Sequence, residues 1–220
     1  MKDKILSQSL IRIYKLLYSR FGSRQWWPGD TRLEIIIGAI LTQNTAWSNV
    51  EKAIRTLKKE CLLSVRGLSR IPEKKLARLI RPSGYYNIKA GRIKNFLKFL
   101  NTSYGGSLDK MFRRDLYQLR EKLLAVKGIG QETADSILLY AGGRPVFVVD
   151  AYTKRLFSRH GFIKEVSEYK DVQSLFMNNL PKNSRMFNEY HALIVELGKS
   201  ICKSKKPLCG ICPIKNIKRR

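Results

Sequence analysis

Three groups of residues in this sequence have types and spacings that could do chemistry. The first is a glycine-rich turn, Val126-Lys127-Gly128-Ile129-Gly130, which stands between two stretches with helical spacing. Glycines at this spacing permit positive φ and close approach of the backbone, and the amides that open the next helix lack intrahelical partners. A phosphate can accept hydrogen bonds from those amides at the positive end of the helix dipole. The pattern indicates either a helix-hairpin-helix that holds DNA backbone without reading bases or an ordinary helix–helix turn.

The second group is a single carboxylate, Asp150, which follows the apolar residues 146–149 and precedes a helix-like run. Aspartate is a favoured N-cap, so the residue could have a structural role only. A carboxylate that caps a helix at the mouth of a cleft could also act on a substrate. The local pattern leaves both interpretations open.

The third group consists of cysteines near the C-terminus. Cys202, Cys209 and Cys212 have the spacing C-x6-C-x2-C, and the fourth cysteine, Cys61, is distant in the sequence. In an intracellular chain, clustered cysteines favour a metal site over disulfide bonds.

The charge balance points to a polyanionic partner. Lys and Arg number 43 against 17 Asp and Glu, which gives a formal net charge of +26. Such an excess adds a salt-dependent affinity for nucleic acid, although ribosome association, an anionic membrane or a basic proteome would also account for it. The sequence contains neither a secretory signal nor an apolar run of the roughly 20 residues that a membrane span requires. We therefore expect a soluble cytoplasmic protein that is associated with the nucleoid through DNA.

Helical periodicity dominates the elements that must position these groups. The chain predicts about ten helices joined by short loops, and the first of them is an amphipathic helix within residues 1–22. Only Pro145–Val149 looks like a strand, and it is too short and isolated to build a sheet. The expected fold class is all-α.

At this point the sequence resembles a known family. Residues 126–161, VKGIGQETADSILLYAGGRPVFVVDAYTKRLFSRHG, are similar to the signature of the endonuclease III superfamily of DNA glycosylases: hairpin, Gly/Pro-rich loop, catalytic aspartate. Residues 38–54, GAILTQNTAWSNVEKAI, resemble the early helix of that family and its DNA-inserting loop. The likeness extends from about Trp26 to Cys212.

The resemblance implies two helical lobes with a DNA-binding cleft between them. One lobe would be a six-helix barrel at residues 23–136, with the helix-hairpin-helix at about 114–136. The other lobe would combine residues 1–22 with 137–220 and would carry a candidate iron–sulfur loop at 202–218.

One position divides this family chemically: the second residue after the last glycine of the hairpin. Bifunctional members carry a lysine there, which forms a Schiff base with the sugar and leads to strand cleavage. This sequence has Glu132, and neither Lys127 nor Lys154 occupies that position. We therefore expect hydrolytic base release without efficient strand cleavage. Asp150 would stabilise positive charge on the sugar and orient or deprotonate water, while Glu132 would assist or only interact with the helix dipole.

The tryptophans narrow the resemblance to one branch, the endonuclease III-like bacterial 3-methyladenine DNA glycosylases. The branch shares WWP (26–28), LTQNT, RPSGYYN and the glutamate. It implies a base pocket at Trp26, Trp27, Pro28 and Trp47, where the family usually has Phe at the last position; a core role is the alternative. Alkylation at N3 or N7 makes a purine cationic, and an aromatic wall attracts a cation by about 0.5–2 kcal/mol. The expected substrates are 3-methyladenine and, as a further candidate, 7-methylguanine.

The remaining DNA contacts are also implied by the resemblance. Gln43 would be the wedge that fills the gap left by a flipped base, with a buried structural glutamine as the alternative. The hairpin residues that would hold the DNA backbone are Lys127, Gly128, Gly130 and Thr133. Neither of the two histidines, His160 and His191, lies in a catalytic motif. An alkylated purine is already cationic, so it can leave without protonation by a strong acid. The expected partner is double-stranded DNA containing alkylated bases, bound by a monomer.

The cysteines match the iron–sulfur loop of the family, C-x6-C-x2-C-x5-C, except at the last position, where this chain has Lys218. A [4Fe–4S] cluster normally takes four thiolates, and a protonated lysine is a poor substitute. A non-cysteine or solvent ligand, Cys61, or a degenerate site are the alternatives. For the function, the alternatives are residual lyase activity, excision of mismatched thymine or uracil, and DNA binding without catalysis.

Overall fold

The structure is a computed structural model that describes residues 2–24, 27 and 29–218. In this part of the chain it contains twelve α-helices, one π-helical segment and two short 3-10 segments, and no β-strand, so the predicted all-α fold class is confirmed. The α-helices are α1 Lys2–Phe21, α2 Arg32–Leu41, α3 Trp47–Lys59, α4 Val65–Arg70, α5 Glu73–Leu79, α6 Tyr86–Tyr104, α7 Leu108–Phe112, α8 Leu116–Leu124, α9 Gln131–Ser136, α10 Ala151–Arg159, α11 Tyr169–Met177 and α12 Ser184–Ser200. None of the described helices is long and apolar enough to cross a membrane.

The chain divides into two compact units. The first unit comprises Met1–Trp27 and Pro145–Arg220, and the second comprises Pro28–Arg144. Helices α2 to α9 belong to the second unit, whereas α1, α10 to α12 and the cysteine loop belong to the first. The lobe limits expected from the sequence, 23–136 and 1–22 plus 137–220, stay a prediction.

The second unit is built around α2, which is apolar on nearly all sides. Ile36, Ile37, Ile40 and Leu41 have no exposed surface, as expected of a helix that is packed against neighbours all round. Thr31 begins the helix as an N-cap and accepts a hydrogen bond from the Glu34 amide. Burying each large aliphatic side chain stabilises the fold by about 1.5–3 kcal/mol.

A buried lysine fixes the end of α2. The Lys89 side chain is 1% exposed, and its Nζ donates to the carbonyl oxygens of Leu41 at 2.7 Å and Ser83 at 2.6 Å. Burial, and to a smaller extent the charge of Arg92, lower the pKa of Lys89 to about 8. Because Leu41 is the last residue of α2, this contact anchors the turn that carries Gln43.

In the first unit, aromatic side chains form the core beneath residues 145–149. Phe147 stacks on Phe176 with ring centroids 3.8 Å apart, and Phe187 and Tyr190 meet it edge to face. The Gln173 amide donates to the carbonyl of Phe147 at 2.7 Å. The segment that looks like a strand in the sequence is therefore an irregular buried segment, held by side chains, and it leads directly into Asp150.

Candidate active site

Asp150 is the N-cap of α10, and its carboxylate is firmly held. Oδ1 accepts hydrogen bonds from the Thr153 backbone amide at 2.7 Å and from the Thr153 hydroxyl at 2.8 Å. The Asp150 side chain is 11% exposed, so it is mostly removed from water. The structural role expected of an aspartate at this position is therefore present. Whether the carboxylate also has a chemical role depends on its surroundings.

A histidine that the sequence did not indicate lies against Asp150. The Nε2 atom of His191, on α12, is 3.5 Å from Asp150 Oδ2, and the His191 side chain is 6% exposed. Nothing near His191 in the sequence signals this contact, because it joins two separate helices. A buried histidine facing a buried aspartate is a feature that only the fold reveals.

The environment keeps Asp150 ionised. Burial taken alone raises the pKa of the carboxyl, but the charge of the nearby His191 and the hydrogen bonds from Thr153 act against it. The net result is a pKa below the usual value for aspartate. At neutral pH the group is thus a fixed negative charge.

The glycine turn lies between two helices, as the sequence predicts. It joins α8 to α9, with the Ile129 amide donating to the carbonyl of Val126 at 3.0 Å and both side chains buried. Arg120 on α8 holds Asp135 on α9 through two hydrogen bonds of 2.7 and 3.0 Å, a bidentate arrangement that fixes the angle of the two helices.

Gly128 is required at its position by conformation and by space. Its φ is +94°, and a Cβ there would overlap the Arg92 side chain. Gly130, the N-cap of α9, has an ordinary φ of −91° and open space where a Cβ would be. Lys127 and Gly130 are exposed, as residues that contact DNA must be.

Gln43 is bonded to this hairpin. Its Nε2 donates to Thr133 Oγ1 at 2.8 Å and to the carbonyl of Gly128 at 3.3 Å, and its Oε1 accepts from Arg92 Nη1. Thr133 is buried, so its hydroxyl serves this network and is not presented to solvent. Glu132 is exposed in the first turn of α9. The structure thus brings together Gln43 and the hairpin, and adds Arg92, which the sequence did not indicate.

Of the four residues expected to form a base pocket, Trp26 and Pro28 lie outside the described residues. Trp27 is half-buried and belongs to the first unit. Trp47 begins α3 in the second unit, and its indole Nε1 donates to Glu51 Oε1 at 2.8 Å, one turn along the helix. Because phenylalanine has no such donor, the anchoring of this ring depends on the tryptophan that departs from the family pattern.

Trp47 borders a cavity of about 300 Å³ in the second unit. The cavity lining includes Trp47, the three carboxylates Asp30, Glu34 and Glu51, and the two cations Arg55 and Lys58. Lys58 is 2.7 Å from both Asp30 Oδ2 and Glu34 Oε1, and these hydrogen bonds raise the pKa of Lys58. Three carboxylates against two cations leave an excess of negative charge here, in a protein whose net charge is +26.

The cysteine loop provides part of a ligand set. Cys202 and Cys212 are buried and Cys209 is exposed, as is Lys218 at the fourth position. Burial is the main cause that raises the pKa of Cys212; a hydrogen bond from the backbone at Ile214 acts against it, and the nearby Cys202 and Cys209 add to it. No three His, Cys, Asp or Glu side chains within residues 2–24, 27 and 29–218 are grouped closely enough to hold a metal ion. The loop supplies three thiols, one fewer than the four thiolates that a [4Fe–4S] cluster normally takes.

Helix α10 holds this loop through direct polar contacts. Arg159 Nη1 donates to the carbonyl of Lys203 at 2.7 Å and lies 3.4 Å from Cys202 Sγ. Arg155 Nε donates to the carbonyl of Cys202 at 2.9 Å, and His160 Nδ1 lies 2.5 Å from the carbonyl oxygen of Ile217. The start and the end of the loop are thus attached to the helix that Asp150 caps.

Comparison with known proteins agrees with this arrangement. Residues 37–182, more than half of the chain, match the model of the HhH-GPD superfamily base excision DNA repair proteins. Residues 202–217, with three cysteines, match the iron–sulfur binding domain of endonuclease III.

Individual relatives cover most of the chain. The "Putative DNA repair glycosylase MJ1434" of Methanocaldococcus jannaschii is 51% identical over 94% of both chains. Endonuclease III of Thermotoga maritima is 30% identical over 83% of this chain and 80% of its own. The crystal structure of H. pylori 3-methyladenine DNA glycosylase (MagIII) bound to 1,N6-ethenoadenine is 30% identical, covers 88% of this chain and 97% of its own, and superposes with a TM-score of 0.73. The chain belongs to the HhH-GPD superfamily of base excision DNA repair proteins and is a DNA glycosylase of that family.

Proposed function

We propose that this glycosylase releases an alkylated purine, 3-methyladenine or 7-methylguanine, from double-stranded DNA by hydrolysis and without efficient strand cleavage. The observation that carries the proposal is the Asp150 carboxylate, buried, ionised and fixed by Thr153 at the start of α10. Glu132 stands where bifunctional members of the family carry lysine, and it supports the second part of the proposal, the lack of efficient strand cleavage.

The proposed chemistry follows from the state of Asp150. Breaking an N-glycosidic bond builds positive charge on the sugar, and a fixed carboxylate stabilises that charge. A general base works best when its pKa is near the operating pH, whereas the pKa of Asp150 is lowered. Stabilisation of the charged sugar therefore contributes more than proton abstraction, and a preorganised group of this kind is worth about 10²–10³ in rate.

The residues at and near the position of the family's lysine support hydrolysis over Schiff-base chemistry. Glu132 cannot form a Schiff base, and Lys154 Nζ donates to the carbonyl of Ser167 at 2.9 Å. Because endonuclease III is among the relatives of this chain, lyase activity is the alternative to be tested.

The proposed base site includes the cavity beside Trp47. An indole face attracts a cationic purine by about 0.5–2 kcal/mol, and the excess of carboxylates in the lining acts in the same direction. The cavity lies at the lower end of the range for small-molecule sites, about 300–1,000 Å³. The 3-methyladenine glycosylase named among the similar structures supports the same substrate class.

DNA is the proposed partner. The net charge of +26 and the exposed hairpin residues Lys127 and Gly130 support contact with the phosphate backbone. For Gln43 to act as a wedge, it must exchange its bonds to Thr133 and Gly128 for contacts with the opened duplex.

A gel assay on duplexes with one defined lesion tests this proposal. We expect alkali-sensitive sites at 7-methylguanine, strands that stay intact without alkali, and no borohydride-trapped adduct. Asp150→Asn should form no such sites while still binding the duplex. A trapped covalent adduct would contradict the hydrolytic route, and cleavage only at uracil or thymine opposite guanine would contradict the substrate class.

The cysteine loop carries a second proposal, which concerns its iron ligands. We propose that any [4Fe–4S] cluster bound there has three protein thiolates and a fourth ligand other than cysteine. About four irons per chain and absorbance near 400 nm, both lost in Cys209→Ser, would support this. Iron that is also lost in Cys61→Ser would contradict it, because the fourth ligand would then be a cysteine.

A further inference from the structure

The contact between Asp150 and His191 is set by close packing of α10 against α12. Gly198 on α12 has no room for a side chain, because a Cβ there would overlap the ring of Tyr152 on α10. His191 precedes Gly198 by two helical turns and so lies on the same face of α12. The helices therefore approach closely along the face that presents the imidazole to Asp150.

The two carboxylate oxygens of Asp150 have different partners. Thr153 provides both hydrogen bonds to Oδ1, and His191 Nε2 stands 3.5 Å from Oδ2. This distance is longer than the about 2.7–3.2 Å of a typical N–H···O hydrogen bond, so the contact is chiefly electrostatic. Rotation of the carboxylate would break the Thr153 bonds and move Oδ2 away from the imidazole.

Three other ionisable side chains on these two helices are bound elsewhere. Lys154 donates to Ser167, Arg155 to the carbonyls of Gly198 and Cys202, and Glu189 accepts from Ser23 and Arg24. Within the described residues, the group whose charge acts on the Asp150 carboxyl is His191. Thr153 contributes hydrogen bonds without charge.

We propose that His191 is a positioning residue of the reaction, which orients the Asp150 carboxylate from the facing helix α12. The proposal rests on the catalytic role proposed for Asp150. It goes beyond that role because it assigns a part in the chemistry to a residue outside the family signature. A histidine that served packing alone could be replaced by a side chain of similar volume without changing the titration of Asp150.

The test uses His191→Leu and His191→Asn in the full-length protein, with Lys170→Gln as the matched control. Lys170 is an exposed cation in the same unit, where it pairs with Glu168, so its substitution removes a positive charge away from Asp150. Single-turnover release of 7-methylguanine from a duplex would be measured from pH 4 to pH 9, together with duplex affinity and melting temperature.

We expect His191→Leu to lower the rate at neutral pH by about 10–100-fold with duplex affinity unchanged. The acidic limb of the pH–rate profile of this variant should move up by about 1–3 pH units, because the charge of His191 no longer opposes protonation of the Asp150 carboxylate. His191→Asn, which is polar but cannot carry the charge, should shift the acidic limb as His191→Leu does, and Lys170→Gln should keep the wild-type profile. A wild-type rate and acidic limb in His191→Leu would overturn the proposal, as would a loss confined to melting temperature and affinity.

The two proposals can fail separately. If the wild type releases neither 3-methyladenine nor 7-methylguanine, the proposed substrate class is wrong. NMR titration of the Asp150 carboxyl carbon in the DNA-free protein then decides the role of His191. A higher Asp150 pKa in His191→Leu than in the wild type supports the assignment, and equal values refute it.

Discussion

At the residue scale, the Asp150 carboxylate combines two demands. It caps α10 through Thr153, and its ionised form is favoured although the side chain is mostly buried. Asparagine can also serve as an N-cap, so Asp150→Asn should fold while it removes the charge. This substitution therefore separates the chemical role from the structural one.

The lowered pKa of Asp150 predicts how its stability contribution depends on pH. The folded-state pKa lies below the unfolded value of about 3.9, so the ionised group stabilises the fold above that pH. The contribution is lost as pH falls through the unfolded pKa toward the folded one. The difference in melting temperature between wild type and Asp150→Asn should thus change little from pH 7 to 5 and then shift against the wild type below about pH 4. A difference that stays constant down to pH 2.5 would contradict this.

Glu51 offers a second prediction, because it anchors the Trp47 indole. Glu51→Ala removes both the acceptor and the charge, whereas Glu51→Gln keeps an acceptor oxygen and removes the charge only. We expect Glu51→Ala to reduce excision of 7-methylguanine by about 3–10-fold, the equivalent of one hydrogen bond. Because the charge of Glu51 attracts a cationic base, we expect Glu51→Gln also to lose activity on 7-methylguanine. Wild-type excision by Glu51→Gln would mean that the carboxylate does not select for cations.

At the element scale, the stability of the hairpin depends more on Gly128 than on Gly130. Gly128→Ala must place a Cβ at φ +94° and displace Arg92, so we expect a loss of about 1–3 kcal/mol in the free energy of unfolding. Gly130→Ala meets no atom within 4 Å and should change stability by less than about 1 kcal/mol. Urea unfolding of both variants measures the difference, and equal losses would contradict the account.

The helices and the hairpin could be predicted from the sequence because periodicity and glycine placement are local signals. The network that joins Gln43, Arg92 and Thr133 could not, because Gln43 is 49 positions from Arg92 and 90 positions from Thr133 in the sequence. His191 was missed for the same reason, and Glu51 because its partner departs from the family pattern. The π-helical segment Ile137–Ala141 falls inside a run that reads as ordinary helix, since its apolar residues fit both geometries.

At the scale of the whole molecule, the net positive charge predicts how affinity for DNA depends on salt. With a net charge of +26, we expect affinity for undamaged duplex to fall steeply with salt, by about 10³–10⁵ between 50 and 200 mM if 6–10 phosphates are contacted. Asp150→Asn should show the same slope, because the carboxylate is not a phosphate contact. Fluorescence anisotropy at several salt concentrations measures this, and an affinity independent of salt would exclude backbone contact as the main term.

The most direct test of the central claim is mass spectrometry of the free bases released from methylated duplex DNA, with a uracil-containing duplex in parallel. The account predicts 3-methyladenine or 7-methylguanine in the wild-type reaction and neither base with Asp150→Asn. Release of uracil without any methylated purine, or methylated purines released equally by Asp150→Asn, would contradict it.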